Sequence, residues 1–418
     1  MKNGKKTKLW TRDFSCITAS TILSAVGGEA MNLPISLLVF DETSSTLLSS
    51  LVLVCGMLPD IILPVLVAPF IDKGGKKKWI LGLDLLLTLV YAVMGVWVLG
   101  HSFQYGLYLA FTLVVGTISV FYRLAYNAWY PDLIPAGCEQ KGYAVSATVY
   151  PLVIIVMSPV AAFLYERLPM GGLFLLVAGL TLASVLVEGC IREQVKPSGE
   201  AYTLRQYTAD IREGFSYLKK EKGIRNIYSY MSITNGASEG VGVLTQAFYQ
   251  TQSYLTVTML GFLKSAEMIG RVGSGIFQYT REIPVKRRYA FTKFVYAVYD
   301  SMDALLLFLP FPLMLLNRFI CGGLGTGSAT IRETAVQSYL PGHMRARVNA
   351  FFGAVMAVGG VLFQLLAGAL GQILPYRVGA LILGLFTLGS MILLIVIPAK
   401  ENRPVYEAVR EDGELTES

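Results

Sequence analysis

Apolar stretches about as long as a membrane helix recur along the whole chain, separated by short polar turns. A bilayer core about 30 Å thick needs roughly 20 consecutive apolar residues per helix. The sequence predicts such helices at 14–40, 47–70, 78–99, 104–128, 143–165, 171–191, 224–250, 256–279, 289–309, 312–337, 347–371 and 376–398. Gly and Pro interrupt several of them, which membrane helices tolerate where neighbours satisfy the freed backbone groups. The pattern also repeats. Glu29 in Gly28-Glu29-Ala30 and Glu239 in Ser238-Glu239-Gly240 lie in corresponding stretches. Each is followed 47 residues later by a basic cluster, Lys76-Lys77-Lys78-Trp79 and Lys286-Arg287-Arg288-Tyr289. An offset of 210 residues superimposes both features. The expected fold is an all-α membrane protein with twelve transmembrane helices in two pseudo-symmetric six-helix bundles, 1–191 and 224–399.

Residues 192–223 are the one long polar stretch between the halves. Leu204, Tyr207, Ile211, Phe215 and Leu218 follow one another at helical steps of 3 and 4, opposite Arg205, Arg212 and Lys219. That spacing predicts an amphipathic linker helix on the cytoplasmic membrane surface. From Lys400 the chain turns acidic and polar, and 400–418 is expected to be a disordered cytoplasmic tail.

Composition agrees with a membrane chain. Of 418 residues 54% are hydrophobic and only 15% charged, against about 25% charged in soluble domains. The net charge of +7 does not indicate nucleic acid, because the basic residues cluster at the N-terminus, 71–78, 192–223 and 280–288. The intervening loops at 41–46, 100–103, 251–255 and 310–311 hold no Lys or Arg, and only Arg167 and Arg377 break the pattern. The positive-inside bias then puts both termini in the cytoplasm of a multi-pass plasma-membrane protein. Five scattered cysteines without a Cys-x-x-Cys, and only two histidines, predict no metal centre or cofactor. No nucleophile motif or phosphate-binding loop is present, so neither an enzyme nor an ATP-driven pump is expected.

Charges inside the apolar stretches are costly and suggest function by default. Depth along the helices, at about 1.5 Å per residue, pairs Asp84 with Arg123, either as a structural ion pair or with Arg123 left for substrate. Lys264, Glu267 and Arg271, with Asp300 and Asp303 at similar depth, predict a mutually neutralised polar seam. Glu29, Asp60 and Glu239 have no basic partner at their depth. Glu29, Asn32 and Ser36 share one helical face, and so do Asn235, Glu239 and Gln246. Glu29 and Glu239 are therefore expected to bind protons, a cationic substrate or both. The alternative is permanently protonated carboxyls hydrogen-bonded between helices. Asp60 follows Pro59, so it either caps a kinked helix or joins the coupling acids. Tyr105, Tyr108, Thr112, Ser119, Tyr122, Tyr126 and Tyr130 form a stripe beside Asn127, readable as packing or as an aromatic substrate surface.

The loop Ala68-Pro69-Phe70-Ile71-Asp72-Lys73-Gly74-Gly75-Lys76-Lys77 resembles the signature Gly-x-x-x-Asp-Arg-x-Gly-Arg-Arg of the major facilitator superfamily, with Ala in place of the leading Gly. The second copy is degraded, with Gln278 and Glu282 at the corresponding positions. Stretches 121–135, 139–144, 209–217 and 337–353 resemble the drug, macrolide and siderophore exporters of that family. Ser158-Pro159-Val160-Ala161-Ala162 is similar to the Gly-Pro-x-x-Gly-Gly of its antiporters. The resemblance implies a central cavity lined by the first, fourth, seventh and tenth spans. Asn32, Ser36, Tyr122, Arg123, Tyr126, Asn127, Asn235 and Gln246 are its candidates for lining, and Asp72, Lys76, Lys77 and Lys78 form a gating loop. The expected function is proton-coupled efflux of a lipophilic or amphipathic small molecule by alternating access, with the bilayer as surroundings and a monomer as the working unit. An uptake symporter, a lysolipid flippase and a membrane sensor without transport remain the alternatives.

Overall fold

The computed structural model describes residues 8–71, 75–192, 209, 212–213, 215–217, 219–281 and 283–409. No strand occurs among them. In chain order the helices are α1 (Arg12–Thr43), α2 (Thr46–Ile71), α3 (Lys76–Gly100), α4 (Tyr105–Leu133), α5 (Glu139–Arg167) and α6 (Met170–Gly189). There follow α7 (Lys222–Thr251), α8 (Val257–Thr280), α9 (Val285–Leu305), α10 (Phe311–Tyr339), α11 (Arg345–Ile373), α12 (Tyr376–Met391) and α13 (Ala399–Tyr406). The N-terminus of α1 is set by Thr11, whose side-chain oxygen accepts the Phe14 amide at 3.3 Å, with Asp13 in the first turn. Ser44, in the left-handed conformation at φ 50°, closes its other end.

Among the described residues, seven helices are long and apolar enough to cross a membrane by length and composition. Side-chain placement says the same of α3. Asp84 and Thr88 are buried, while Leu85, Leu86, Leu89, Val93 and Val96 stand exposed. A helix that hides its polar residues and displays its large apolar ones is arranged for a lipid solvent.

The chain divides into two compact units. Unit 1 comprises Met1–Ser44, Leu51–Leu204 and Ser253–Ser265; unit 2 comprises Ser45–Ser50, Arg205–Gln252 and Ala266–Ser418. In unit 1, α3 packs most extensively on α6, and α1 on α5 and α6. In unit 2, α9 packs on α12, and α7 on α11 and α12. The same relative positions in the two halves thus make the same internal pairs, as the 210-residue repeat predicts. Close approach needs missing side chains: a Cβ on Gly116 would overlap the Gly56 carbonyl, and one on Gly322 the Glu267 carbonyl. Proline's missing N–H is also repaired locally. Pro159 leaves the Ile155 carbonyl without its helical donor, and the Ser265 hydroxyl donates to it at 2.6 Å within unit 1.

The tail departs from its sequence expectation. Residues 400–406 are not disordered but belong to α13, which packs on α7 and α10. The cause lies just upstream, where α12 ends in a single π-helical turn, Ile392–Val396, followed by Pro398. Pro398 orphans the Leu394 carbonyl, and the wholly buried Asn402 donates to Leu394 at 2.7 Å and Ile395 at 3.1 Å. Tyr289 donates to Ile395 as well, at 2.5 Å. Tyr406 lies buried with its hydroxyl 3.0 Å from that of Tyr296, and burial holds it well above the ordinary tyrosine range, hence neutral. Residues 410–418 lie outside the described residues. In the linker, Ala209, Arg212, Glu213, Phe215–Tyr217, Lys219 and Lys220 are helical. Leu204, Tyr207, Ile211 and Leu218 lie outside the described residues. Replacing Asn402 by Ala leaves the Leu394 carbonyl short of a donor, and the Ile395 carbonyl with Tyr289 alone, and should lower stability by about 1–3 kcal/mol, read as a lower melting temperature of the purified protein.

Candidate functional site

The acids within the helices fall into three chemical situations. The first is donor-bound without a cation. In unit 1, Glu29 of α1 is buried, and Tyr150 of α5 donates to its Oε1 at 2.8 Å. In unit 2, Glu239 of α7 is exposed at its surface, and Gln364 of α11 donates to its Oε2 at 2.6 Å. The partner comes in each unit from the fifth helix of that half, and it is neutral. Among the described residues neither acid forms an ion pair. Around Glu29, Ser36 is buried and its hydroxyl donates to the Leu33 carbonyl at 3.0 Å, whereas Asn32 is exposed. In α7, Asn235 is exposed and donates to the Met231 carbonyl, and buried Gln246 donates to Gln250 at 3.3 Å.

The second situation is the ion pair, and here the sequence pairing of Asp84 with Arg123 is corrected. Arg123 of α4 pairs instead with Asp60 of α2 at 2.5 Å, and both side chains are exposed. Asp60, expected to lack a basic partner, therefore has one. Depth along the axis does not fix the direction of a side chain, and Asp84 turns toward α1 and α6. In unit 2, Glu267, Arg271 and Asp303 of the expected seam take part in ion pairs, with a member that sequence spacing missed. Arg318 of α10, nearly buried, bonds Asp303 of α9 and lies 4.0 Å from Glu267 of α8. Glu267 is held by Arg271 at 2.6 Å one turn along, in the favourable order. Gly322, one turn beyond Arg318, allows the close contact with α8 that brings Glu267 within reach. Asp300 is bound by neutral donors alone, Tyr230 at 2.9 Å and Thr234 at 2.7 Å. Lys264 is exposed at the end of α8 that belongs to unit 1.

The third situation has neither cation nor a full set of donors. Asp84 (2% exposed) and Glu188 of α6 (0% exposed) each keep one buried carboxylate oxygen, Oδ2 and Oε2, without a hydrogen-bond partner. Tyr122 donates to the other oxygen of Glu188 at 3.2 Å. Serines surround the two: Ser24 and Ser184 beside Asp84, and Ser20 beside Glu188.

The aromatic stripe of α4 is mainly internal packing. Tyr122, Tyr126 and Tyr130 stack in sequence, with centroids 6.1 and 5.2 Å apart. Tyr126 meets the Thr21 hydroxyl at 3.0 Å, and Tyr130 donates to the Gly142 carbonyl at 2.8 Å. Asn127 is exposed one turn from Arg123. Asp72 lies outside the described residues. Lys76 bonds Asp132 at 3.0 Å and the Ala128 carbonyl at 2.8 Å, and Lys77 bonds the carbonyls of Gly189 and Ile191 at 3.0 and 2.5 Å. Two lysines at the start of α3 thus cap the C-terminal ends of α4 and α6, where a helix favours positive charge. Lys78 is exposed.

The sequence profile described as Major Facilitator Superfamily matches residues 17–299 and 302–416. The chain belongs to that superfamily. It is a transporter and not an enzyme, as the missing catalytic motifs predict. Macrolide efflux protein A of Streptococcus pyogenes is 23% identical over 276 residues, 64% of this chain and 67% of that protein. Among solved structures, the nucleoside transporter NupG aligns with a TM-score of 0.68 at 12% identity, covering 92% of this chain and 99% of that one. A peptide transporter, POT, in complex with sulfate gives 0.69 at 10% identity over 94% and 95%. A bacterial homolog of the human lysosomal transporter Spinster gives 0.67 at 11% over 95% and 98%. These structural likenesses establish the fold.

Three side chains in the transporter's acid sites carried no sequence signal. Tyr150 and Gln364 are ordinary residues of their helices until folding sets them beside Glu29 and Glu239. Glu188 stands four residues before Arg192, where the chain turns polar, so it reads as a solvated helix end. Arg318→Met would leave Asp303 buried without its cation, and should cost about 3–5 kcal/mol of stability. Arg123→Gln, which breaks an exposed pair, should cost only about 0.2–1 kcal/mol. Melting temperatures of the two purified variants check the contrast.

Proposed function

We propose that this transporter exports a lipophilic or amphipathic small molecule in exchange for protons, by alternating access, across the plasma membrane. In this reading all twelve helices α1–α12 cross the bilayer as two six-helix bundles, 1–191 and 224–399. Both termini then face the cytoplasm, and the protein works as a monomer. The observation that carries the reading is the treatment of Glu29 and Glu239. Each sits on the first helix of its half and is bound by one neutral donor from the fifth, Tyr150 or Gln364. A neutral partner can donate to a carboxylate and can accept from a protonated carboxyl, through the hydroxyl oxygen of Tyr150 or the amide oxygen of a rotated Gln364. An arginine would instead hold the acid permanently charged. A carboxyl that is stable in both forms is what a proton carrier requires.

The direction of transport is supported by the likeness to macrolide efflux protein A. Asn32, Arg123, Asn127 and Asn235 are exposed polar side chains on otherwise apolar helices. Lipid offers them no hydrogen bonds, so they are assigned to the water-filled substrate path, with Tyr122 and Tyr126 behind them. One proton moving down a potential of 100 mV supplies about 2.3 kcal/mol, enough for roughly a fifty-fold substrate gradient. Reconstituted in liposomes with an imposed pH gradient and a macrolide, the wild type should accumulate substrate. Glu29→Gln and Glu239→Gln should fall to the level of empty liposomes at normal folded yield. Undiminished pH-driven accumulation in both variants would exclude the proposed coupling.

A further inference from the structure

The Asp84–Glu188 cluster of unit 1 has no part in the reading above and is not explained by packing. Two carboxyl groups on neighbouring helices, α3 and α6, are both more than nine-tenths buried, and each retains an oxygen with no donor. Taking an unpaired carboxylate out of water costs several kcal/mol, so two at one place need compensating positive charge. The helices packed around them supply none. Between Arg12 and Thr43, α1 has no Lys or Arg; α6 has no charged residue besides Glu188; α5 has none between Lys141 and Glu166. The single cation of α4, Arg123, is bonded to Asp60. On α3, Lys76 is bonded to Asp132, Lys77 to carbonyls beyond Glu188, and Lys78 is exposed. The titratable groups that face the pair are Tyr122, which donates to Glu188, and Tyr126 one turn away, which meets Thr21. From α1 and α6 only hydroxyls arrive. Ser24 and Ser184 lie 3.0 Å apart, and Ser184 donates to the Ser20 carbonyl. Every neighbour is neutral, and the two open oxygens are the places where positive charge is missing.

We propose that Asp84 and Glu188 form a second proton-binding site of unit 1, separate from Glu29. One proton taken from water forms an O–H bond at Asp84 Oδ2 or Glu188 Oε2, and leaves again to water with no other bond made or broken. The serine hydroxyls and Tyr122 serve both forms by rotating, because each can donate or accept. The site does not rest on the export reading. It exists whether or not Glu29 and Glu239 couple transport, and its test uses no substrate.

Infrared difference spectra of the full chain in lipid nanodiscs, taken across a pH titration, read protonated carboxyl groups directly. The wild type should show a protonated-carboxyl band that vanishes as pH rises. Asp84→Asn and Glu188→Gln, both near-isosteric, should each remove or displace that band, while Glu29→Gln retains it. The same variants should release one proton fewer per chain in a dye-monitored pH jump. An unchanged band and unchanged proton count in both variants would overturn the proposal. So would a rise in the wild-type melting temperature with sodium at fixed pH that is absent in the variants, since the site would then hold a metal cation. If neither variant folds, Tyr122→Phe decides. Loss of its hydrogen bond to Glu188 should shift the band, and an unshifted band overturns the assignment.

Discussion

A carboxylate in a low-dielectric interior must find a cation, a set of donors or a proton, because the cost of stripping its water is otherwise several kcal/mol. That constraint organises the polar residues of this transporter. Asp303 and Glu267 have Arg318 and Arg271. Asp300 has two donors, one for each oxygen. Glu29 and Glu239 each have one donor for one oxygen. Asp84 and Glu188 keep an oxygen with nothing. The acids bonded to arginine keep a fixed charge, whereas those with neutral donors alone leave the balance between charged and protonated forms to their surroundings.

The helices and the repeat were legible because both follow from period and length. Each apolar stretch overlaps one helix, with ends that differ by a few residues, and the 210-residue offset reappears as the same pairing of helices inside each unit. Partners were less legible. Counting residues from a helix end fixes depth, but not the direction in which a side chain points round the axis or which helix lies beyond it. Depth pointed to Asp84 as the partner of Arg123 and left Asp60 without one, whereas the packing of α3 against α6 turns Asp84 toward Ser24 and Ser184 and Arg123 meets Asp60. On α8 and α9 the i,i+4 spacing gave the pairing of Glu267 with Arg271, yet the cation of Asp303, Arg318, was overlooked because no i,i+4 relation connects α10 to either helix.

Composition misled at the C-terminus for a different reason. Lys400-Glu401-Asn402-Arg403 looks solvated, and three of the four are charged. The fold needs one polar residue there nonetheless. Pro398 and the π-helical turn before it leave carbonyls unmet in a packed region, and an amide side chain arriving from the next turn can meet both. Tyr406 then fills the space beside Tyr296. Average polarity over a segment says little when a single donor has a specific buried acceptor waiting.

The two halves share a backbone plan but not an electrostatic one. The fourth helix of the first half has Arg123 at an exposed position, paired to an equally exposed Asp60, where salt screens the interaction and the arginine can exchange partners. The fourth helix of the second half has Arg318 buried and locked between Asp303 and Glu267. Packing in a repeated fold is constrained by close backbone contact at glycines such as Gly116 and Gly322, which tolerates few substitutions. Charge is not constrained in this way: any arrangement survives that leaves no unpaired ion in the oil. Unit 2 meets that condition with arginines at Asp303 and Glu267 and with neutral donors at Asp300, whereas at Asp84 and Glu188 unit 1 offers hydroxyls alone. A cation supplied by a side chain cannot leave, whereas a proton can, so a carboxyl keeps the means of exchange with the solvent only where no arginine is bound to it.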